Sequence, residues 1–258
     1  MKHKFITLRY FIIIFSLSTS LSFAQESETI ITDRPDQTEA SQLTPKGWVQ
    51  IETGFLIEND KSDGIKTREI VYNTTLLKYG ISDRIELRII QEFLGSEING
   101  DQVASGAGPL AIGARFALAE EDGICPQIAF IGHINYRTGD QDYRPDQVAP
   151  DFRFTFAHTL SETFSLGYNL GAEWNGYDAV ATGIYTLSLA ASLSDKLGAF
   201  VEVYGFLPTG QEKNHRFDGG ITYLISNNLQ FDVSGGFGIS KISPDNFIST
   251  GLSWRFGK

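Results

Sequence analysis

The sequence predicts an all-β chain: a 12-stranded antiparallel up-and-down transmembrane β-barrel, preceded by an N-terminal signal peptide and a short polar N-terminal segment. Three observations predict it. Twelve runs alternate apolar and polar residues, and most are about 10–13 residues long. Soluble strands average about 5–6 residues, whereas a tilted strand crossing a bilayer needs about 9–11. The connections between runs alternate short and long, as in barrels with short periplasmic turns and long outer loops. One face of most runs carries Leu, Ile, Val and Phe, and the other carries Gly, Ser, Thr and charge, which fits lipid outside and a wet lumen inside.

Residues 1–24 read as a signal peptide. Lys2, Lys4 and Arg9 precede the apolar stretch "YFIIIFSLSTSLSF", and Ser22-Phe23-Ala24 forms a small-x-small cleavage site. No Cys follows that site, which argues against a lipid anchor. Cleavage leaves 18 basic residues against 31 acidic ones, a net charge of −13. Phosphate neutralisation needs an excess of Lys and Arg, so no nucleic-acid partner is expected. The one cysteine, Cys125, has no partner for an internal disulfide, and a buried or lipid-facing structural role is expected. After the signal no apolar run approaches the length of a transmembrane helix, which leaves a barrel open.

Residues 25–45 form the polar N-terminal segment, and 46–258 the barrel. The runs fall at 47–58, 67–79, 84–94, 108–119, 126–137, 151–160, 163–174, 182–193, 197–207, 216–225, 228–240 and 246–257. In 108–119, Leu110, Ile112, Ala114, Phe116 and Leu118 oppose Ala111, Gly113, Arg115 and Ala117. In 151–160, Phe152, Phe154, Phe156 and Leu160 oppose Arg153, Thr155, Ala157 and Thr159. In 163–174, a face from Phe164 to Trp174 opposes Ser165, Gly167, Asn169, Gly171 and Glu173. Run 67–79 fits poorly, because Val71 and Leu77 fall on the inner face. The short connections share a pattern in "ISDRIEL", "LSETFSL", "LSDKLGAF" and "ISNNLQF", a recurring hairpin turn. The long ones are 59–66, 95–107, 138–150, 175–181, 208–215 and 241–245. Trp48, Tyr79, Phe93, Trp174, Tyr177, Trp254 and Phe256 sit near strand ends, where aromatic girdles lie. A soluble barrel would invert the faces and leave Glu52, Arg88, Arg115, Glu202 and Asp232 to be explained in mid-strand.

"TDRPDQTEASQLTPKGWVQIETGF", "GFLPTG", "NLQFDVSGGFGIS" and "FISTGLSWRFGK" together resemble the outer-membrane barrel family labelled phenol-degradation meta-pathway proteins, many of whose members are called transporters. The resemblance runs from about residue 31 to the C-terminus. It implies a barrel in the bacterial outer membrane, and transport only loosely. Many outer-membrane barrels end on an aromatic residue read by the insertion machinery. This chain ends Phe256-Gly257-Lys258, with the aromatic two residues early and in the same strand phase.

The lumen is expected to carry Glu52, Glu86, Arg88, Glu92, Arg115, Arg137, Arg153, Glu173, Glu202, Asp218, Asp232 and Arg255. Two readings stay open for these charges: structural Arg–carboxylate pairing that fills a narrow barrel, or a selectivity lining. A lipid-hydrolysing barrel would need a Ser oriented to a His. His133, His158 and His215 stand in no such motif, so no catalytic residue is assigned. No metal or cofactor is assigned either. "RTGDQDYRPD" carries carboxylates without a fixed ligand spacing and reads as a solvated loop.

The function expected is a passive channel or transporter for small molecules, with the structural or interaction barrel and the lipid-acting enzyme as alternatives. The family label points to hydrophobic or aromatic cargo, whereas the charged lumen does not advertise an apolar site. Outer-membrane lipids, the barrel-insertion machinery and an unidentified small-molecule substrate are the expected partners. An even strand number returns both termini to the periplasm and places the polar segment at the lumen mouth. Asp33, Arg34, Asp36 and Glu39 are suited to pair with Arg88, Arg115, Arg153, Glu86 and Glu202, while Pro35 fixes a turn and discourages strand pairing. The segment is expected to fold into the periplasmic half of the barrel and partly plug it, with a loose terminal tail as the alternative.

Overall fold

A computed structural model describes residues 29–257. The expected signal peptide, 1–24, lies outside the described residues. Among the described residues thirteen strands form one sheet: β1 Trp48–Ser62, β2 Ile65–Ser82, β3 Ile85–Ile98, β4 Asp101–Ala107, β5 Ala111–Ala119, β6 Gln127–Asn135, β7 Ala149–Thr159, β8 Phe164–Trp174, β9 Ala181–Ser192, β10 Leu197–Pro208, β11 Asn214–Ser226, β12 Leu229–Gly238 and β13 Asn246–Gly257. All ladders are antiparallel. They join strands adjacent in sequence, except for β3 with β5 and for β1 with β13, the pair that closes the ring. Twelve strands make the barrel, because β4 pairs only with the outer half of β3, while β5 pairs with the inner half. Closure leaves no open edge between first and last strand, as a lipid environment demands.

The alternation sorts side chains as the membrane requires. Leu252, Trp254, Ile221, Leu187, Leu170 and Phe154 point out and are exposed. Phe130, Phe152 and Phe154 pack against one another on that outer surface, with centroids 5.2–6.4 Å apart. The inner positions are buried and polar, among them Gln50, Glu52, Thr155, Asn169, Ser188, Ser234 and Ser253. Trp254 and Phe256 pack on the outer face with centroids 4.4 Å apart. Trp48 departs from the expected girdle: it shares the inner phase with Gln50 and Glu52, and Arg255 lies over its ring at 5.1 Å.

Two segments expected as long loops are strand instead. Between β1 and β2 the turn is Asp63-Gly64, with φ of 50° and 82°. Between β3 and β4 it is Asn99-Gly100, with φ of 53° and 94°. Positive φ at both central residues matches the right-handed strand twist, so the ladders run to the tip rather than opening into loops. At about 3.3 Å per residue, the 18 residues of β2 extend well beyond the bilayer.

The misfit of 67–79 has a local cause. A bulge between Val71 and Asn73 inserts one residue and shifts the phase of β2. Val71 lines the lumen above the bulge. Below it, Leu76 and Lys78 are buried inside and Leu77 turns out beside Ile89. Cys125, expected to be buried or lipid-facing, is exposed in the β5–β6 turn.

Candidate functional site

The lumen is occupied by the chain's own N-terminal segment. Residues 29–45 enter from the turn end, where Ile30 donates to the Asn227 carbonyl at 2.7 Å. The Ile31 carbonyl accepts from Gln50, and Thr32 Oγ1 accepts from Gln230, both at 2.8 Å. The segment then loops inward at 32–40, and the loop is closed by Ala40 N–H donating to Asp33 Oδ1 at 3.0 Å. It returns along the wall, and Thr44 N–H donates to Glu86 at 2.6 Å before β1 begins.

Its charges meet wall charges of opposite sign. The Asp33 carboxylate accepts from Lys78 and Arg88 at 2.9 Å each and from Arg115 at 2.5 Å. Glu39 accepts from Arg88 at 2.7 Å and Arg115 at 3.2 Å, with Arg153 at 4.0 Å. Arg34 turns the other way, to Asp232 and Ser249 at 3.0 Å each. The backbone N–H groups of Asp33 and Arg34 both donate to Glu52, which also pairs with Lys78. Glu202 accepts from Gln37 N–H at 2.7 Å and from the Thr38 hydroxyl. Charge-assisted hydrogen bonds out of bulk water exceed the near-zero value of surface pairs.

The partners differ from those expected in detail. Arg34 finds Asp232 rather than Glu86 or Glu202. Glu86 and Glu202 instead accept backbone N–H and hydroxyl groups of the segment. Asp36 faces the side of Glu202 rather than the arginines. Pro35 is buried at the tip of the loop. Lys78 joins the lumen network outside the sequence expectation, because a phase count carried through the bulge points it outward.

Glycines of the wall make room for the segment. A side chain at Gly54 or at its β1–β13 partner Gly251 would collide with the Arg34 guanidinium. One at Gly80 would collide with the Thr44 and Pro45 carbonyls.

The structure places the remaining lumen candidates as follows. Glu52, Glu86, Arg88, Arg115, Glu202, Asp218 and Asp232 are buried on the inner wall. Glu92 lines the loop-side lumen and accepts from Thr74 at 2.9 Å. Arg153 and Glu173 line the loop-side mouth. Arg255 lies at the turn-side rim and donates to Asn228 at 2.8 Å. Arg137 is a correction: β6 ends at Asn135, the inner phase does not continue, and Arg137 is exposed in the following loop. His133 bridges Arg88 and Asp151 at 2.9 Å each. His158 stacks on Tyr168, and His215, expected in a loop, lies near the start of β11 beside Tyr185.

The cations that meet the segment lie on one side of the lumen, together with Glu86 and Glu92 of β3 and Asp151 of β7, and three further carboxylates lie on the other side. Lys78, Arg88, Arg115 and Arg153 come from β2, β3, β5 and β7, and Glu202, Asp218 and Asp232 from β10, β11 and β12. β5 and β11 stand opposite each other in the ring. The segment presents Asp33 and Glu39 to the first wall and Arg34 to the second. Cavities remain on both sides of it. On the loop side lie one of about 370 Å³, lined by Glu39, His133, Arg153, Glu173 and Trp174, and one of about 290 Å³, lined by Glu39, Arg88 and Glu92. On the turn side lies one of about 320 Å³. Arg34, Pro35 and Asp36 line both the 290 Å³ and the 320 Å³ cavities, so this turn is the partition between the two halves.

A family model described as "Putative MetA-pathway of phenol degradation" matches residues 32–256. Among solved structures, an outer membrane channel from Pseudomonas putida F1 is 14% identical, covers 86% of this chain and 99% of its own, and superposes with a TM-score of 0.69. The β domain of the Bordetella autotransporter BrkA is 13% identical, with coverage of 82% and 100% and a TM-score of 0.54. The NanC porin is 5% identical, with coverage of 80% and 98% and a TM-score of 0.51. At these identities the likeness establishes the outer-membrane barrel fold. No curated protein matches the chain.

Proposed function

The chain belongs to the family described as "Putative MetA-pathway of phenol degradation", and on that premise we propose that it is a passive outer-membrane channel for small molecules, closed at rest by residues 29–45. The observation that carries the reading is the partition at Arg34–Asp36, which separates a loop-side from a turn-side cavity within one polar lumen. Moving that turn joins the two halves without disturbing the barrel ladders. The lining favours polar or charged solutes over purely apolar ones, because Glu52, Glu86, Arg88 and Arg115 are all on the wall. A non-conducting structural barrel is the second reading, favoured by the number of hydrogen bonds that seat the segment. A lipid-acting enzyme is not favoured, since His133 is engaged by Arg88 and Asp151 rather than by a serine.

Deleting residues 26–44 while retaining the signal tests the proposal in planar bilayers. The deleted barrel is expected to migrate as a heat-modifiable folded species and to show larger or more frequent conductance than the full chain. Unchanged conductance, with the segment cut by added protease in the intact barrel, would reduce the segment to a tail.

A further inference from the structure

The geometry points to a binding site for a short-chain organic dicarboxylate on the wall that Asp33 and Glu39 now cover, an inference that rests on the segment withdrawing as proposed above. The four cations of the site, Lys78, Arg88, Arg115 and Arg153, belong to barrel strands and stay behind when the segment leaves. Among the described residues, two wall carboxylates pair with them directly. Glu52 pairs with Lys78, and Glu86 lies 3.2 Å from Arg88 and 3.7 Å from Arg115. Withdrawal therefore leaves Arg88 and Arg115 with Glu86 as their directly paired wall carboxylate, while Arg153 stays beside Asp151 and Glu173, and the donors that Asp33 and Glu39 now occupy on the two guanidinium groups are uncovered.

The spacing is as informative as the charge. Arg115 Nη2 touches Asp33 Oδ1 at 2.5 Å and Glu39 Oε2 at 3.2 Å, and Arg88 also donates to both. Two carboxylate oxygens that share one guanidinium nitrogen are close enough together to be spanned by a single short-chain dicarboxylate, for which succinate is a suitable probe. Guanidinium forks recognise carboxylates in planar, multi-donor geometry, and here the forks are held before any ligand arrives. His133 fixes Arg88 from behind through Nε2 at 2.9 Å, and Asp151 holds His133 in turn. Access is from the loop side, where Glu39 and Arg153 line the cavity of about 370 Å³. A dicarboxylate entering there meets Arg153 first and then competes with Glu39 and Asp33 for Arg88 and Arg115. The segment is thus an internal stand-in for the cargo, and the cargo loosens the closure by taking its partners.

Bilayer recordings with succinate, neutral succinamide and inorganic sulfate as probes test this. In the barrel lacking 26–44, loop-side succinate is expected to block most of the chloride current and succinamide none. Adding Arg88→Gln and Arg115→Gln should weaken the block about tenfold or more, the loss of roughly 1.4 kcal/mol. In the full chain, succinate should raise the opening frequency several-fold. A deleted barrel that conducts more than the full chain yet responds alike to succinate and succinamide overturns the site and leaves the closure reading intact. Sulfate acting as strongly as succinate overturns the dicarboxylate assignment in favour of any dianion. If deletion leaves conductance unchanged, the closure reading fails, and the site is then judged on the full chain carrying Asp33→Asn and Glu39→Gln. Succinate should raise the unfolding temperature of that variant in detergent, and no rise overturns the site. Lys78→Gln serves as a second wall variant should the arginine pair fail to insert.

Discussion

Arg34 reaches Asp232 at 3.0 Å only because no side chain stands in its way on the seam between β1 and β13. Gly54 and Gly251 face each other across that seam, and either Cβ would strike the guanidinium. A short charged contact thus depends on two residues that carry no charge and no side chain.

Gly251→Ala is therefore expected to unseat Arg34 while the barrel stays folded. Neither glycine has a positive φ, so alanine fits the strand itself. Single-channel recording should show open probability raised about tenfold, a shift of ~1.4 kcal/mol. Wild-type gating in Gly251→Ala would separate the Arg34 seat from closure.

Removing one partner of a buried pair leaves the other uncompensated and costs about 3–5 kcal/mol, whereas an exposed pair is worth about 0–1. Arg88→Ala, which takes one buried cation from each of Asp33, Glu39 and Glu86, should lower the temperature of the heat-modified gel shift well below that of the parent. Arg68→Ala breaks the 3.3 Å pair with Glu97 at a side chain 48% exposed and should leave it nearly unchanged. Equal effects would mean that the lumen network is as weakly coupled as a surface pair.

Orientation can be read by thiol labelling. Cys125 is exposed in a short turn and Asp63 sits at a long hairpin tip. A membrane-impermeant maleimide applied to whole cells should label Asp63→Cys in a Cys125→Ser background and leave Cys125 of the parent unlabelled until the envelope is opened. The reverse pattern would invert the topology.

Leu252 points outward from β13 and Ser253, next to it, points inward. Leu252→Lys places a charge against lipid and is expected to cost about 2–4 kcal/mol near the bilayer midplane, measured by denaturant unfolding in vesicles. Ser253→Thr, facing the polar lumen, should cost far less. Comparable losses would contradict the assignment of faces.

The strands and their faces are readable in the sequence because alternation over ten residues is a strong signal and both faces have distinct solvents. Where the reading fails, the reasons are local. Lys78 is hidden because one extra residue near Tyr72 reverses the phase, and a bulge leaves no mark in composition. Arg137 falls inside only if the phase is carried past the end of β6. The segments around Asp63-Gly64 and Asn99-Gly100 read as loops by their polarity, although both are the dipeptides that two-residue turns require. The direction of Asp33 and Glu39 toward Arg88 and Arg115 follows from charge alone. That Arg34 turns to Asp232 depends on the glycine seat, which needs three strands in register to exist.

The segment's contacts span the whole length of the chain. Glu52 on β1, among the first wall residues made, accepts from the backbone of Asp33 and Arg34, and Ser249 on β13, among the last, accepts from the Arg34 side chain. Its berth is therefore complete only where the final strand meets the first, and the segment acts as an internal clasp across that seam, tied to Glu52 on one side and to Asp232 and Ser249 on the other.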